Sequence, residues 1–104
     1  MSSLKLFDTK EAKALLDAGK AIAVDVRHAG EYTEGHIAGA VWLENEKITA
    51  ETAAAALPDK TQKYLIYCHS GMRAEQAKKK LRDLGYTDVE NFGGVINWPY
   101  GLTK

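Results

Sequence analysis

Apolar residues in this chain fall into short runs separated by stretches in which they recur at helical spacing. Ala21-Ile22-Ala23-Val24-Asp25-Val26 and Tyr64-Leu65-Ile66-Tyr67 lack the every-second-residue polarity of a strand with one wet face. Central parallel strands, covered on both sides, need such runs. Residues 40–43 and 89–92 read as shorter strands between turn signals. Asp8 and Glu11 have capping-box spacing, and Ala12, Leu15 and Leu16 follow on one helical face until Gly19, which predicts a helix over residues 9–18. Residues 50–57 are alanine-rich and stop at Pro58, as a short helix would. In residues 72–84, Ala74, Ala77, Leu81 and Leu84 mark an inner face, while Lys78, Lys79, Lys80 and Arg82 are assigned to solvent. Gly85 stands where a helix C-terminal glycine belongs. Residues 27–39 are polar and broken by Gly30, Gly35 and Gly39, so a loop with a helical turn is expected there. The alternation predicts an α/β fold: a mainly parallel central sheet with helices on both faces.

Length and composition agree with one domain over residues 1–104. The chain has 104 residues and is 45% apolar, enough for a core. Lys plus Arg and Asp plus Glu number 14 each, so no overall field draws it to nucleic acid or to an anionic membrane. No apolar run approaches the roughly 20 residues that span a bilayer. The opening Met-Ser-Ser-Leu-Lys-Leu-Phe-Asp-Thr-Lys lacks a signal peptide's apolar stretch. A cytoplasmic site of action is therefore expected; removal of a leader would make it periplasmic. Trp42, Trp98 and the tyrosines are expected in the core or a pocket wall, since no basic stripe accompanies them.

The single cysteine, Cys68, excludes an intramolecular disulfide and a four-thiolate zinc site. With three widely spaced histidines, no metal site is expected. Free cysteines are commonly buried structural residues. Cys68, however, follows an apolar strand and precedes His69-Ser70-Gly71-Met72-Arg73 and a helix. Ligands of α/β sheets bind beyond the carboxyl ends of strands, where a helix start offers unpaired N–H groups. A thiolate is favoured at such a place, with cysteine pKa values falling from about 8.5 to roughly 3.5–7.5. Gly71 lets successive N–H groups turn inward as an anion nest. The expected feature is an exposed sulfur nucleophile at the base of an oxyanion cradle.

Three blocks in this order resemble the rhodanese family over nearly the whole chain. They are Asp25-Val26-Arg27 with Glu31-Tyr32 and Gly35-His36-Ile37-Ala38-Gly39-Ala40, then the loop from Cys68 to Arg73, then Gly85-Tyr86 with Gly93-Gly94 and Trp98. The similarity is greatest to stand-alone, single-domain thiosulfate sulfurtransferases. It implies a rhodanese-like three-layer fold, a persulfide on Cys68, and a substrate cradle formed by His69, Ser70, Gly71, Met72 and Arg73. It also implies a small sulfur-containing anion as substrate, with cyanide, a thiol or a protein thiol as acceptor, and no cofactor.

Asp25 and Arg27 are expected to pair near the site, with Glu31 or Arg73 as further partners. His36 resembles the family's structural histidine. Arg73 either binds the anion, the favoured reading, or braces the loop. His69 is expected at the rim, because neighbours on a tight loop point apart. Two other classes compete. Phosphatases and arsenate reductases resemble Cys, five residues, Arg, whereas four residues separate Cys68 from Arg73, a smaller cradle suited to sulfur. A non-enzymatic sulfur-relay module would keep the same fold and cysteine.

Overall fold

A computed structural model describes residues 5–104. The elements are α1 (Thr9–Asp17), β1 (Ile22–Asp25), α2 (Ala29–Glu34), β2 (Val41–Trp42), α3 (Ala50–Ala56), β3 (Tyr64–Cys68), α4 (Met72–Asp83) and β4 (Val89–Gly94). Short 3-10 turns occupy Asn45–Lys47 and Val95–Asn97. The four strands pair in the order β2-β1-β3-β4, and every pairing is parallel. Parallel strands end on the same side, so Asp25, Trp42, Cys68 and Gly94 close one edge of the sheet. Among the described residues no helix is long and apolar enough to cross a membrane.

The every-second-residue rule divides β3 between two core layers. Tyr64, Ile66 and Cys68 pack with Ala53 and Leu57 of the α3 side and with Ala74, Ala77 and Leu81 of α4. Leu65 and Tyr67 face Ala12 of α1, together with Ile37, Phe92 and Trp98. Both faces of the sheet are covered, and β3 is buried along its whole length. Its unbroken apolar run has that cause.

Three local expectations need correction. The helical turn in residues 27–39 is a six-residue helix, α2, that buries no residue. Lys78 is not on the wet face: it is 8% exposed, and its ammonium lies 3.3 Å from Glu75. Four residues after Ala74, it shares that residue's side of the helix, where its aliphatic stem is covered and its charge paired. Neighbouring Lys80 donates to the Asn45 carbonyl (2.8 Å) and to Asn45 Oδ1 (3.1 Å), which ties α4 to the first 3-10 turn. Trp42 is 39% exposed and is neither core nor pocket wall, whereas Tyr100, 41% exposed, lines a cleft with Trp98 as expected. Trp42 sits on an edge strand and turns its indole N–H to the Arg27 carbonyl at 2.7 Å.

Candidate active site

Cys68 is the last residue of β3, where the register against β4 shifts and Cys68 comes opposite Gly94. The sequence placed an exposed thiol just beyond the strand. The side chain is instead 1% exposed, because it belongs to the inward-pointing set of β3 and packs in the α4 layer. Two backbone N–H groups point at its sulfur, Gly71 at 3.0 Å and Ala74 at 3.4 Å. Ala74 lies in the first turn of α4, where N–H groups have no acceptor inside the helix. Those of Met72 and Arg73 in the same turn also have no partner among the described residues. The turn into the helix is made at Gly71, whose φ of 110° is left-handed backbone that a side chain would strain. Donors on the sulfur and free donors beside it suit negative charge at both places.

His69 and Ser70 are exposed at the rim. The His69 carbonyl accepts from Ile96 N–H at 3.2 Å, and no bond joins its ring to the Cys68 sulfur among the described residues. Met72 is 62% exposed beside the loop.

Arg73 meets Glu31 of α2 side-on, Nη1–Oε1 at 2.8 Å and Nη2–Oε2 at 3.0 Å. This hydrogen bond is the largest influence on Glu31 and holds its carboxyl down to about 2. Glu31 Oε1 also accepts the His28 N–H at 3.1 Å, closing the start of α2. Two of the five guanidinium donors of Arg73 are engaged in this way, which leaves others for an anion.

Asp25 and Arg27 form a second, fully buried pair, with Nη2–Oδ2 at 2.7 Å. The same Nη2 donates to the Gly35 carbonyl at 2.6 Å and so fixes the turn after α2. His36 stacks on Tyr32 with ring centroids 3.9 Å apart and exchanges backbone hydrogen bonds with Thr103 at 2.8 and 2.7 Å. It supports that turn and the C-terminal segment, not the sulfur. His28, Glu44 and Glu46 gather their ligand atoms within 4.8 Å, a grouping the sequence did not bring out; His28 and Glu44 are a hydrogen-bonded pair at 3.0 Å.

Two site neighbours were missed from sequence. A Cβ on Gly94 would overlap the backbone of Cys68 and His69, so only glycine allows β4 this near the loop. The Gly93-Gly94 pair was the visible trace of that approach. Asn91, buried in β4, donates to the Gly71 carbonyl at 3.0 Å. A lone polar residue in a short strand carries no such signal.

The rhodanese-like domain model matches residues 8–98. The chain belongs to the rhodanese-like domain family. This rhodanese-like domain is 39% identical over 72 residues to the thiosulfate sulfurtransferase PspE of Escherichia coli, a match covering 69% of this chain and 68% of that one. A solved structure described as rhodanese with anions from E. coli superposes with a TM-score of 0.73 at 34% identity, covering 81% of this chain and 98% of the other. The tRNA uridine(34) hydroxylase of Erwinia tasmaniensis is 35% identical over 97 residues, 85% of this chain, and the match spans 26% of that longer protein. The all-parallel sheet with helices on both faces is the rhodanese fold expected from the sequence.

Proposed function

We propose that this rhodanese-like domain is a thiosulfate sulfurtransferase that works by double displacement at Cys68. The Cys68 thiolate attacks the outer sulfur of thiosulfate. A new S–S bond forms, the S–S bond of thiosulfate breaks, and sulfite leaves with the electron pair. Cyanide or a thiolate, including that of an acceptor protein, then attacks the outer sulfur of the persulfide. Thiocyanate or an acceptor persulfide departs and the Cys68 thiolate returns. Covalent catalysis of this kind predicts ping-pong kinetics and needs no cofactor.

The observation that carries this reading is the pair of backbone donors on the Cys68 sulfur, from Gly71 and Ala74. They match the negative charge of a thiolate before transfer and of a leaving thiolate after it. The free N–H groups of Met72 and Arg73 suit the sulfonate of the donor, with His69 and Ser70 at the mouth. Preorganised donors of this type are worth about 2.7–4 kcal/mol each where one has been removed from an oxyanion hole. Similarity to PspE supports thiosulfate as the donor.

Mass spectrometry of the protein before and after thiosulfate tests the reading. The expected result is one added sulfur on Cys68 that cyanide removes. A folded protein that gains no sulfur would overturn it.

A further inference from the structure

Asn91 is 0% exposed, lies inside β4, and has no part in the chemistry described above. Its Nδ2 donates to the Gly71 carbonyl at 3.0 Å and to Glu75 Oε1 at 3.1 Å, while its Oδ1 accepts the Gly93 N–H at 2.9 Å. Both amide hydrogens are used, and the reversed amide would set its oxygen against two acceptors. Behind it, Glu75 is paired with the buried Lys78 at 3.3 Å. A buried polar network this complete is rigid, and costly to leave half-made.

The network is fastened at the residue where the cysteine loop turns. The Gly71 carbonyl also accepts the Glu75 N–H at 2.9 Å, the first bond of α4. In a trans peptide the N–H points opposite to the C=O. Drawing the Gly71 carbonyl toward Asn91 therefore aims the Met72 N–H away from the network. On the other side of the Gly71 Cα, the left-handed φ of 110° joins this peptide to the one whose N–H lies on the Cys68 sulfur at 3.0 Å. On its other side, Asn91 Oδ1 holds the Gly93-Gly94 step, against which the His69 backbone packs. One amide thus sets the position of both walls of the cradle. We propose that Asn91 is a positioning residue for sulfur transfer, acting through Gly71 on the donors that face Cys68; the proposal rests on the function given above.

Single-turnover persulfide formation from thiosulfate, well below each variant's melting temperature, provides the test. N91L removes donor and acceptor at similar volume, and N91D keeps Oδ1 for Gly93 but loses the donor to Gly71. Both are expected to slow the step by about tenfold to a hundredfold, the scale on which an ångström of misplacement acts. V89A loosens the same strand two residues away, at a buried position in the core layer shared with α4 where the side chain holds no hydrogen bond to the cysteine loop, and is expected to keep the wild-type rate while melting earlier. If N91L does not fold, N91D carries the comparison. In 15N spectra of the folded Asn91 variant, the Gly71 and Met72 amide signals are expected to move while those of β1 stay. A wild-type rate in the variant, slowing no greater than in V89A, or unmoved Gly71 and Met72 signals would overturn the proposal. Should wild-type protein gain no sulfur at all, the functional reading fails, and the amide signals alone decide whether Asn91 orients the loop.

Discussion

The guanidinium of Arg73 and the carboxylate of Glu31 lie side-on at 2.8 and 3.0 Å, so the helix that begins at the cysteine loop is fastened to the helix that follows β1. This geometry separates two roles for Arg73. Arg73→Lys cannot reproduce two parallel bonds with a compact ammonium. Partly exposed pairs contribute about 0–1 kcal/mol, so melting should change little. A drop of about tenfold in kcat/KM for thiosulfate is expected, the scale of 1.4 kcal/mol of lost contact. Glu31→Gln frees Arg73 without removing it and is expected to have a smaller effect. Equal losses in the two variants would mean that Arg73 only braces the loop, and an unchanged kcat/KM in both would remove it from the mechanism.

The same pair has a pH signature. Arg73 holds the Glu31 carboxyl at about 2, below the usual carboxylate range. A group whose pKa is depressed on folding stabilises the fold above its unfolded pKa, near 4.3, and loses that contribution as pH falls through the folded value. The difference in melting temperature between wild type and Glu31→Gln should therefore be constant above roughly pH 5 and shrink toward pH 2. A difference that does not change over this window would show that the pair does not form in solution.

Cys68→Ser keeps an acceptor for the Gly71 and Ala74 N–H groups in a position that is 1% exposed. It is expected to fold, with a melting temperature close to wild type, and to lose thiosulfate:cyanide transfer down to background. Residual turnover near the wild-type rate would place the nucleophile elsewhere.

At Gly94, any side chain meets the backbone of Cys68 and His69. Overpacking of this sort typically costs about 1–3 kcal/mol. Gly94→Ala is expected to lower the melting temperature and to disable transfer as the loop moves. Gly30, inside α2 with nothing within 4 Å of its missing Cβ, is the contrasting case. Gly30→Ala should stabilise by about 0.5–1 kcal/mol with activity unchanged. Thermal melts and transfer assays on both variants check the contrast; equal tolerance at the two sites would contradict it.

Legibility in the sequence followed burial. β1 and β3 announce themselves by apolar runs buried on both faces, and the inner face of α4 by apolar side chains at helical period. α2 buries nothing and includes Gly30. It is held by polar contacts: His28 N–H to Glu31, Tyr32 Oη to the Ala40 carbonyl at 3.1 Å, and the Arg73 guanidinium to Glu31. No hydrophobic pattern records such contacts. Lys78 misleads for the opposite reason, since a charged name conceals a long apolar stem. In the site, the cysteine and its loop are contiguous and stand out by position alone. Asn91 and Gly94 join them only when β4 is laid beside β3, a neighbourhood created by the crossover through α4.

The burial of Cys68 also bears on which sulfur an acceptor can reach. In the persulfide proposed here, the second sulfur lies about 2.05 Å farther along the side chain. The inner sulfur stays enclosed by the α4 layer and its two N–H donors. Attack there would expel hydrosulfide and leave the enzyme trapped as a mixed disulfide. Shielding one atom while presenting the next would enforce the regiochemistry that keeps transfer productive.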